Sequence, residues 1–301
     1  MQVGTKMIKV LAIVGPTAVG KSDFGIEVAK KINGEIISGD SIQIYKGLNI
    51  GSAKVTSSEM QGIKHYLIDI KNPDENYSVK EFQDLSRKYI KHISGENKLP
   101  IIVGGTGLYI KACLYDYEFN NEETKDEEYI ELTNEEIYNK LKNIDERIVE
   151  KIHINNRKRL VRALNIYEKN NKSIAQIKES QEHKPIFDVK IIGLTKDRQE
   201  IYSQCDKRID LMIKKGLLNE IEGLLDDGVT FDNQCMSGIG YKEFKGYFEG
   251  NKSLEECISD VKRNTRHFVK RQYTWFNNQL NVSWHENKDE ALKEILDWYE
   301  K

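Results

Sequence analysis

Apolar residues along this chain gather into five short runs, at positions 8–14, 35–38, 66–70, 100–103 and 189–194. Runs of this length suit strands of a parallel sheet buried on both faces. Helical periodicity fills most of the gaps. Phe24, Val28 and Ile32 share one face of 21–32, and Phe82, Leu85, Tyr89 and Ile93 repeat the spacing ahead of the fourth run. The alternation predicts an α/β fold, an open parallel sheet flanked by helices. Such sheets bind ligands outside the carboxyl ends of their strands. Those ends carry Gly15-Pro16-Thr17, Gly39-Asp40-Ser41, Asp69, Gly104-Gly105-Thr106-Gly107, and Thr195 with Asp197-Arg198.

Between positions 116 and 184 the chain turns polar, charged and helical, with no convincing strand. We read this stretch as a helical insertion domain within a core made of 1–115 and 185–301. Its acidic tract at 120–128 reads more readily as a solvated linker than as an interaction site. Helical spacing resumes at 212–225, 254–276 and 290–298, and no internal repeat is present.

The most specific signature is Gly15-Pro16-Thr17-Ala18-Val19-Gly20-Lys21-Ser22, a complete G-x-x-x-x-G-K-[ST] loop between the first strand and the first helix. Its glycines let several backbone N–H groups converge on one anion, and the helix N-terminus adds partial positive charge worth roughly 0.3–1 kcal/mol. Lys21 adds a full charge and Ser22 a hydroxyl suited to Mg²⁺. Phosphate binding follows, and the sheet is expected to be P-loop NTPase-like. Asp40, ending the second strand, is placed to take a proton from an attacking group or to hold Mg²⁺ through water; capping of a helix by Asp40 or Ser41 is the alternative. The turn at Gly104–Gly107 admits a close ligand and offers the Thr106 hydroxyl, although a plain strand-to-helix connection reads the same. Arg208, in the helical segment 202–212, either clamps a diphosphate opposite Lys21 or lies on the surface.

Two clusters are basic. Arg157, Lys158, Arg159 and Arg162 accompany an apolar face of Leu160, Val161 and Leu164, and 262–276 interleaves cations with Phe268, Tyr273, Trp275 and Phe276. Both suit an RNA backbone or unpaired bases. A solvated basic face and a packed core are the competing readings. Whole-chain charge does not decide, because 46 Lys plus Arg against 48 Asp plus Glu leave a net charge of −2. No apolar segment approaches the ~20 residues of a membrane helix and no secretory core precedes the first strand, so a cytoplasmic protein without a membrane partner is expected. Cys113, Cys205, Cys235 and Cys257 are scattered without C-x-x-C pairing and show no ligand spacing with the histidines. Free thiols and no zinc are expected.

Taken in order, the motifs resemble the tRNA dimethylallyltransferase family, also called tRNA isopentenyltransferases, over about 8–276. The resemblance rests on Gly15 to Ser22, Asp40-Ser41, the stretch from Tyr45 to Lys54, His65 to Asp69, Gly104 to Tyr109, Arg159 to Leu164, Gly238-Ile239-Gly240-Tyr241-Lys242-Glu243, Thr265-Arg266, Lys270-Arg271-Gln272 and Thr274-Trp275-Phe276. It implies transfer of a dimethylallyl group from dimethylallyl diphosphate, with Mg²⁺, to N6 of the adenosine immediately 3′ of a tRNA anticodon. By resemblance, Gly15, Pro16, Thr17, Ala18, Val19, Gly20, Lys21 and Ser22 cradle the diphosphate, Thr106 and Arg208 assist, and Asp40 accepts the N6 proton. The implied tRNA contacts are Asp40, Ser41, Ile42 and Gln43, then Lys158, Arg159, Leu160, Val161 and Arg162, then Ser237, Gly238, Ile239, Gly240, Tyr241 and Lys242. A monomer is expected. The chain departs from the family at Tyr66, Asn156, Gln204, Cys205 and Asn277, and has no arginine within 126–131. Three rivals carry the same phosphate loop: a small-molecule kinase with Asp40 as base, an adenylate isopentenyltransferase, and an RNA-binding module without chemistry.

Overall fold

Six strands, β1 (Lys9–Val14), β2 (Gly34–Ser38), β3 (His65–Tyr66), β4 (Leu99–Gly104), β5 (Asp188–Leu194) and β6 (Ser283–His285), form one all-parallel sheet in the order β3-β2-β4-β1-β5-β6. The computed structural model describes residues 7–117, 119, 129–180 and 183–301. The acidic tract at 120–128 lies outside them. By its internal contacts the chain divides into two units, Met1–Tyr115 with Pro185–Lys301, and Asp116–Lys184.

The described helices in chain order are α1 (Lys21–Lys31), α2 (Ser57–Met60), α3 (Val79–Gly95), α4 (Gly107–Leu114), α5 (Asn134–Ile144), α6 (Glu146–Val149), α7 (Arg157–Asn170), α8 (Ile174–Ser180), α9 (Arg198–Lys214), α10 (Leu217–Asp226), α11 (Lys245–Phe248), α12 (Leu254–Gln279) and α13 (Lys288–Tyr299). Helices α5 to α8 belong to the second unit. Their core is Ile137, Leu141, Ile148, Leu160, Val161 and Leu164.

Strand β1 shows why its run is apolar throughout. Val10, Ala12 and Val14 pack into the core on one face of the sheet, Leu11 and Ile13 into the core on the other, and all five are fully buried. Register then sets the site. Val14 pairs with Gly104 and Ser38 with Val103, so β1, β2 and β4 end side by side. The chain winds to one side after β1 and reaches the other with β5, which makes β1 the switch point where a crevice opens.

Three elements differ from the sequence expectation. The run at 66–70 pairs only at His65–Tyr66, because Leu67 and Asp69 take left-handed backbone at φ 62° and 54°. The chain then follows the segment after β2 instead, with Asp69 N–H donating to Gln43 O and Ile70 N–H to Ile44 O. The helical stretch 212–225 is two helices, divided where Gly216 turns to φ 94°. Strand β6 corresponds to none of the apolar runs, because its three half-buried residues are too few to show a period.

Candidate active site

Backbone torsions of the phosphate loop explain its glycines. Gly15 sits at φ 143° and Gly20 at φ 89°, and a Cβ on Gly15 would stand 2.5 Å from Leu194 O. Lys21 is the first residue of α1, and its Nζ donates to Pro16 O at 2.6 Å. Burial, reinforced by the neighbouring Arg208 charge and opposed by Asp40, lowers the Lys21 pKa from 10.5 to about 7. Ser22 follows with an exposed side chain.

A second support comes from α12. The buried Gln272 accepts from Thr17 N–H at 3.1 Å and donates through Nε2 to Gly105 O at 3.1 Å, tying the loop after β1 to the glycine turn after β4. A Cβ on Gly105 would lie 2.3 Å from that Nε2, so the turn leaves room for the amide. Gln272 stood in a matched motif, but nothing local in the sequence marks this role.

Asp40 uses one oxygen to build its own turn. Its Oδ1 accepts from Ile42 N–H at 2.8 Å and Gln43 N–H at 3.2 Å. Capping is therefore real, but it closes a turn rather than a helix. Among the described residues no group bonds to Oδ2, so the carboxylate is oriented and still has a free acceptor. Thr106 precedes α4 with its hydroxyl unused for capping. Arg208 is half-buried on α9 and forms no ion pair among the described residues; burial draws its pKa below the usual arginine value, against the nearby Cys205 and Asp40.

These groups border two adjoining cavities. The larger, about 690 Å³, is walled by Thr17, Lys21, Ser22, Gln43 and Lys54. The smaller, about 360 Å³, is walled by Ser41, Ile42, Ser237, Ile239 and Lys242. Asp40, Thr106 and Arg208 border both, as does Phe268 of α12.

Other expected contacts fall into distinct places. In 237–242, Ser237, Gly238, Ile239, Gly240 and Lys242 line the smaller cavity, whereas Tyr241 is fully buried. On α7, Lys158, Arg159 and Arg162 are exposed. Leu160 and Val161 are fully buried in their unit's core, so their side chains offer no surface to RNA. Arg157 is spent internally, donating to Tyr129 O at 2.7 Å and Leu132 O at 2.8 Å. Much of the α12 cluster is neutralised: Lys262 pairs with Asp210 at 2.6 Å, Arg266 with Asp206 at 2.8 Å and Arg263 with Asp260 at 2.6 Å. Phe276 is core, while Phe268 and Arg271 reach the smaller cavity.

The four cysteines are free and buried. Among the described residues no group of three or more His, Cys, Asp or Glu is arranged to hold a metal. The donors present at the loop, an exposed Ser22 hydroxyl and the open oxygen of Asp40, suit a hard cation that keeps water and phosphate oxygens as its other ligands.

A loop of G-x-x-x-x-G-K-[ST] sequence at the switch point of a parallel sheet, opening onto a second cavity through a shared carboxylate, is the arrangement of a P-loop-like group-transfer enzyme. Residues 43–279 match the family described as IPP transferase. A tRNA dimethylallyltransferase of Bacillus cereus is 47% identical over 300 residues, covering 97% of this chain and 94% of the relative. A tRNA isopentenylpyrophosphate transferase structure from Staphylococcus epidermidis superposes with TM-score 0.73 at 42% identity, covering 97% of this chain and 98% of that one. A eukaryotic dimethylallyltransferase acting on tRNA superposes with TM-score 0.79 at 30% identity, covering 92% and 73%. The chain belongs to the tRNA dimethylallyltransferase family.

Proposed function

We propose that this enzyme moves a dimethylallyl group from dimethylallyl diphosphate to the exocyclic N6 amine of the adenosine immediately 3′ of a tRNA anticodon, releasing diphosphate. The observation that carries this reading is the meeting of two cavities at Asp40, Thr106 and Arg208. The donor's diphosphate occupies the larger cavity on the loop Gly15 to Ser22. An adenine occupies the smaller one. To reach it the base must leave its stack, which costs a few kcal/mol. Contacts with Ile42, Ile239 and Phe268 and with the Ser41 and Ser237 hydroxyls offset that cost.

In the reaction the N6 amine attacks the allylic carbon while the carbon–oxygen bond to diphosphate breaks. Lys21, Arg208 and the Thr106 hydroxyl face the charge that grows on the leaving group. The open oxygen of Asp40 takes the N6 proton, help worth about 10²–10⁴ in rate. Ser22 would be the residue to hold Mg²⁺, which would further neutralise the diphosphate oxygens, leaving the open oxygen of Asp40 for the proton. No described helix is long and apolar enough to cross a membrane, and we place the enzyme in the cytoplasm, working as a monomer.

The test is transfer of labelled dimethylallyl to unmodified tRNA with Mg²⁺, with AMP as the competing acceptor. Labelled tRNA without labelled AMP is expected. Labelled AMP alone would make the acceptor a free nucleotide, and phosphoryl transfer from ATP to a small alcohol would favour a kinase. Asp40→Ala is expected to lower prenyl transfer by at least about 10²-fold while leaving tRNA affinity nearly unchanged. Parallel loss of binding would make Asp40 either structural, through the turn its Oδ1 closes at Ile42 and Gln43, or mainly an RNA ligand.

A further inference from the structure

Residues 49–51 turn three successive backbone N–H groups toward one carboxylate. Glu220, on α10, accepts from Asn49 N–H at 2.9 Å and Ile50 N–H at 2.7 Å on Oε2, and from Gly51 N–H at 3.1 Å on Oε1. The Tyr241 hydroxyl donates to the same Oε1 at 2.7 Å and accepts from Ser52 N–H at 3.1 Å. Converging N–H groups form an anion-binding nest. Here the anion belongs to the protein.

Glu220 borders neither cavity, but the segment it grips borders both: Ser52 and Ala53 lie in each wall, and Gly51 in the smaller. The fit is close, since a Cβ on Gly51 would stand 2.5 Å from Tyr241 Cζ. The carbonyls of Ser52 and Ala53 accept from Gln43 Nε2 at 3.3 and 3.4 Å, and Gln43 N–H donates to Asp40 Oδ1. Hydrogen bonds, joined by the backbone of 49–53 and by the Gln43 side chain, thus link Glu220 to Asp40.

We infer that Glu220 is a positioning residue: with Tyr241 it fixes the cavity wall at 51–53 and, through Gln43, the aim of the Asp40 carboxylate. The inference rests on the proposed role of Asp40. Glu220→Gln keeps the volume but replaces an acceptor oxygen with an N–H₂ that confronts the nest. Tyr241→Phe keeps the ring against Gly51 and removes only the hydroxyl, so it stays informative should the first variant fold poorly.

The experiment measures kcat and both KM values for tRNA prenylation in the wild type, Glu220→Gln, Tyr241→Phe, Asp40→Asn and the Glu220→Gln/Asp40→Asn double variant. Glu220→Gln is expected to lower kcat about tenfold with the KM for dimethylallyl diphosphate within about twofold, and Tyr241→Phe to do the same more weakly. In the Asp40→Asn background Glu220→Gln is expected to add less than about twofold, because linked residues are non-additive. Equal losses in both backgrounds, or an unchanged kcat in both single variants, would overturn the inference. Full activity of Asp40→Asn would instead overturn the role of Asp40 itself.

Discussion

Lys21 carries unusual electrostatics for a lysine. Burial and the Arg208 charge bring its pKa to about 7, so near neutrality the free loop is only partly protonated there. A diphosphate favours the ammonium form, so binding raises this pKa and takes up a proton. Affinity for dimethylallyl diphosphate is therefore expected to be level below pH 7 and to fall as the pH rises from 7 towards 9, by up to about tenfold per unit, with proton uptake visible as a buffer-dependent heat of binding. Lys21→Arg, which stays charged across that range, is expected to flatten the decline even if it binds more weakly. An affinity independent of pH in the unmodified enzyme would mean that the ammonium persists without ligand.

At the scale of elements, the packing of α4 against α12 decides where Thr106 stands. Gly107 is the first residue of α4, and a Cβ there would lie 2.0 Å from Trp275 Cε3. Alanine ordinarily gains about 1 kcal/mol over glycine inside a helix. The clash reverses the sign: Gly107→Ala is expected to destabilise by about 1–3 kcal/mol, lowering the thermal midpoint, and to slow transfer by displacing the neighbouring Thr106. A midpoint at or above wild type would show that Trp275 swings aside freely. The same contrast explains which parts of this molecule the sequence makes legible. The phosphate loop and the Asp40 turn are written locally, in residues that bond to near neighbours, and the runs behind β1, β2, β4 and β5 declare burial on both faces. Gln272 and Glu220 give no such sign, because the groups they hold are 255 and 170 residues away. The α12 cations read as an RNA surface for the same reason, since the carboxylates that neutralise Lys262 and Arg266 lie on α9. The end of β3 depends on the left-handed torsions of Leu67 and Asp69, which an apolar run cannot display.

For the molecule as a whole, a net charge of −2 leaves no general attraction for a polyanion, so tRNA affinity must come from cations without carboxylate partners. The clearest of these are Lys158, Arg159 and Arg162, exposed on α7 and outside any ion pair among the described residues. Each that meets a phosphate releases counterions, and its loss lowers the slope of log affinity against log salt by about 0.7–0.9. Arg159→Ala and Arg162→Ala are each expected to weaken tRNA binding and to flatten that slope by this amount, measured by titration across a series of salt concentrations. Arg266→Ala supplies the contrast. Its guanidinium already sits on Asp206, so its removal is expected to leave the slope unchanged while lowering stability. If Arg159→Ala and Arg162→Ala leave the slope at its wild-type value, the α7 face does not meet the RNA backbone, and the electrostatic hold on tRNA must come from cations such as Lys242 and Arg271 beside the smaller cavity.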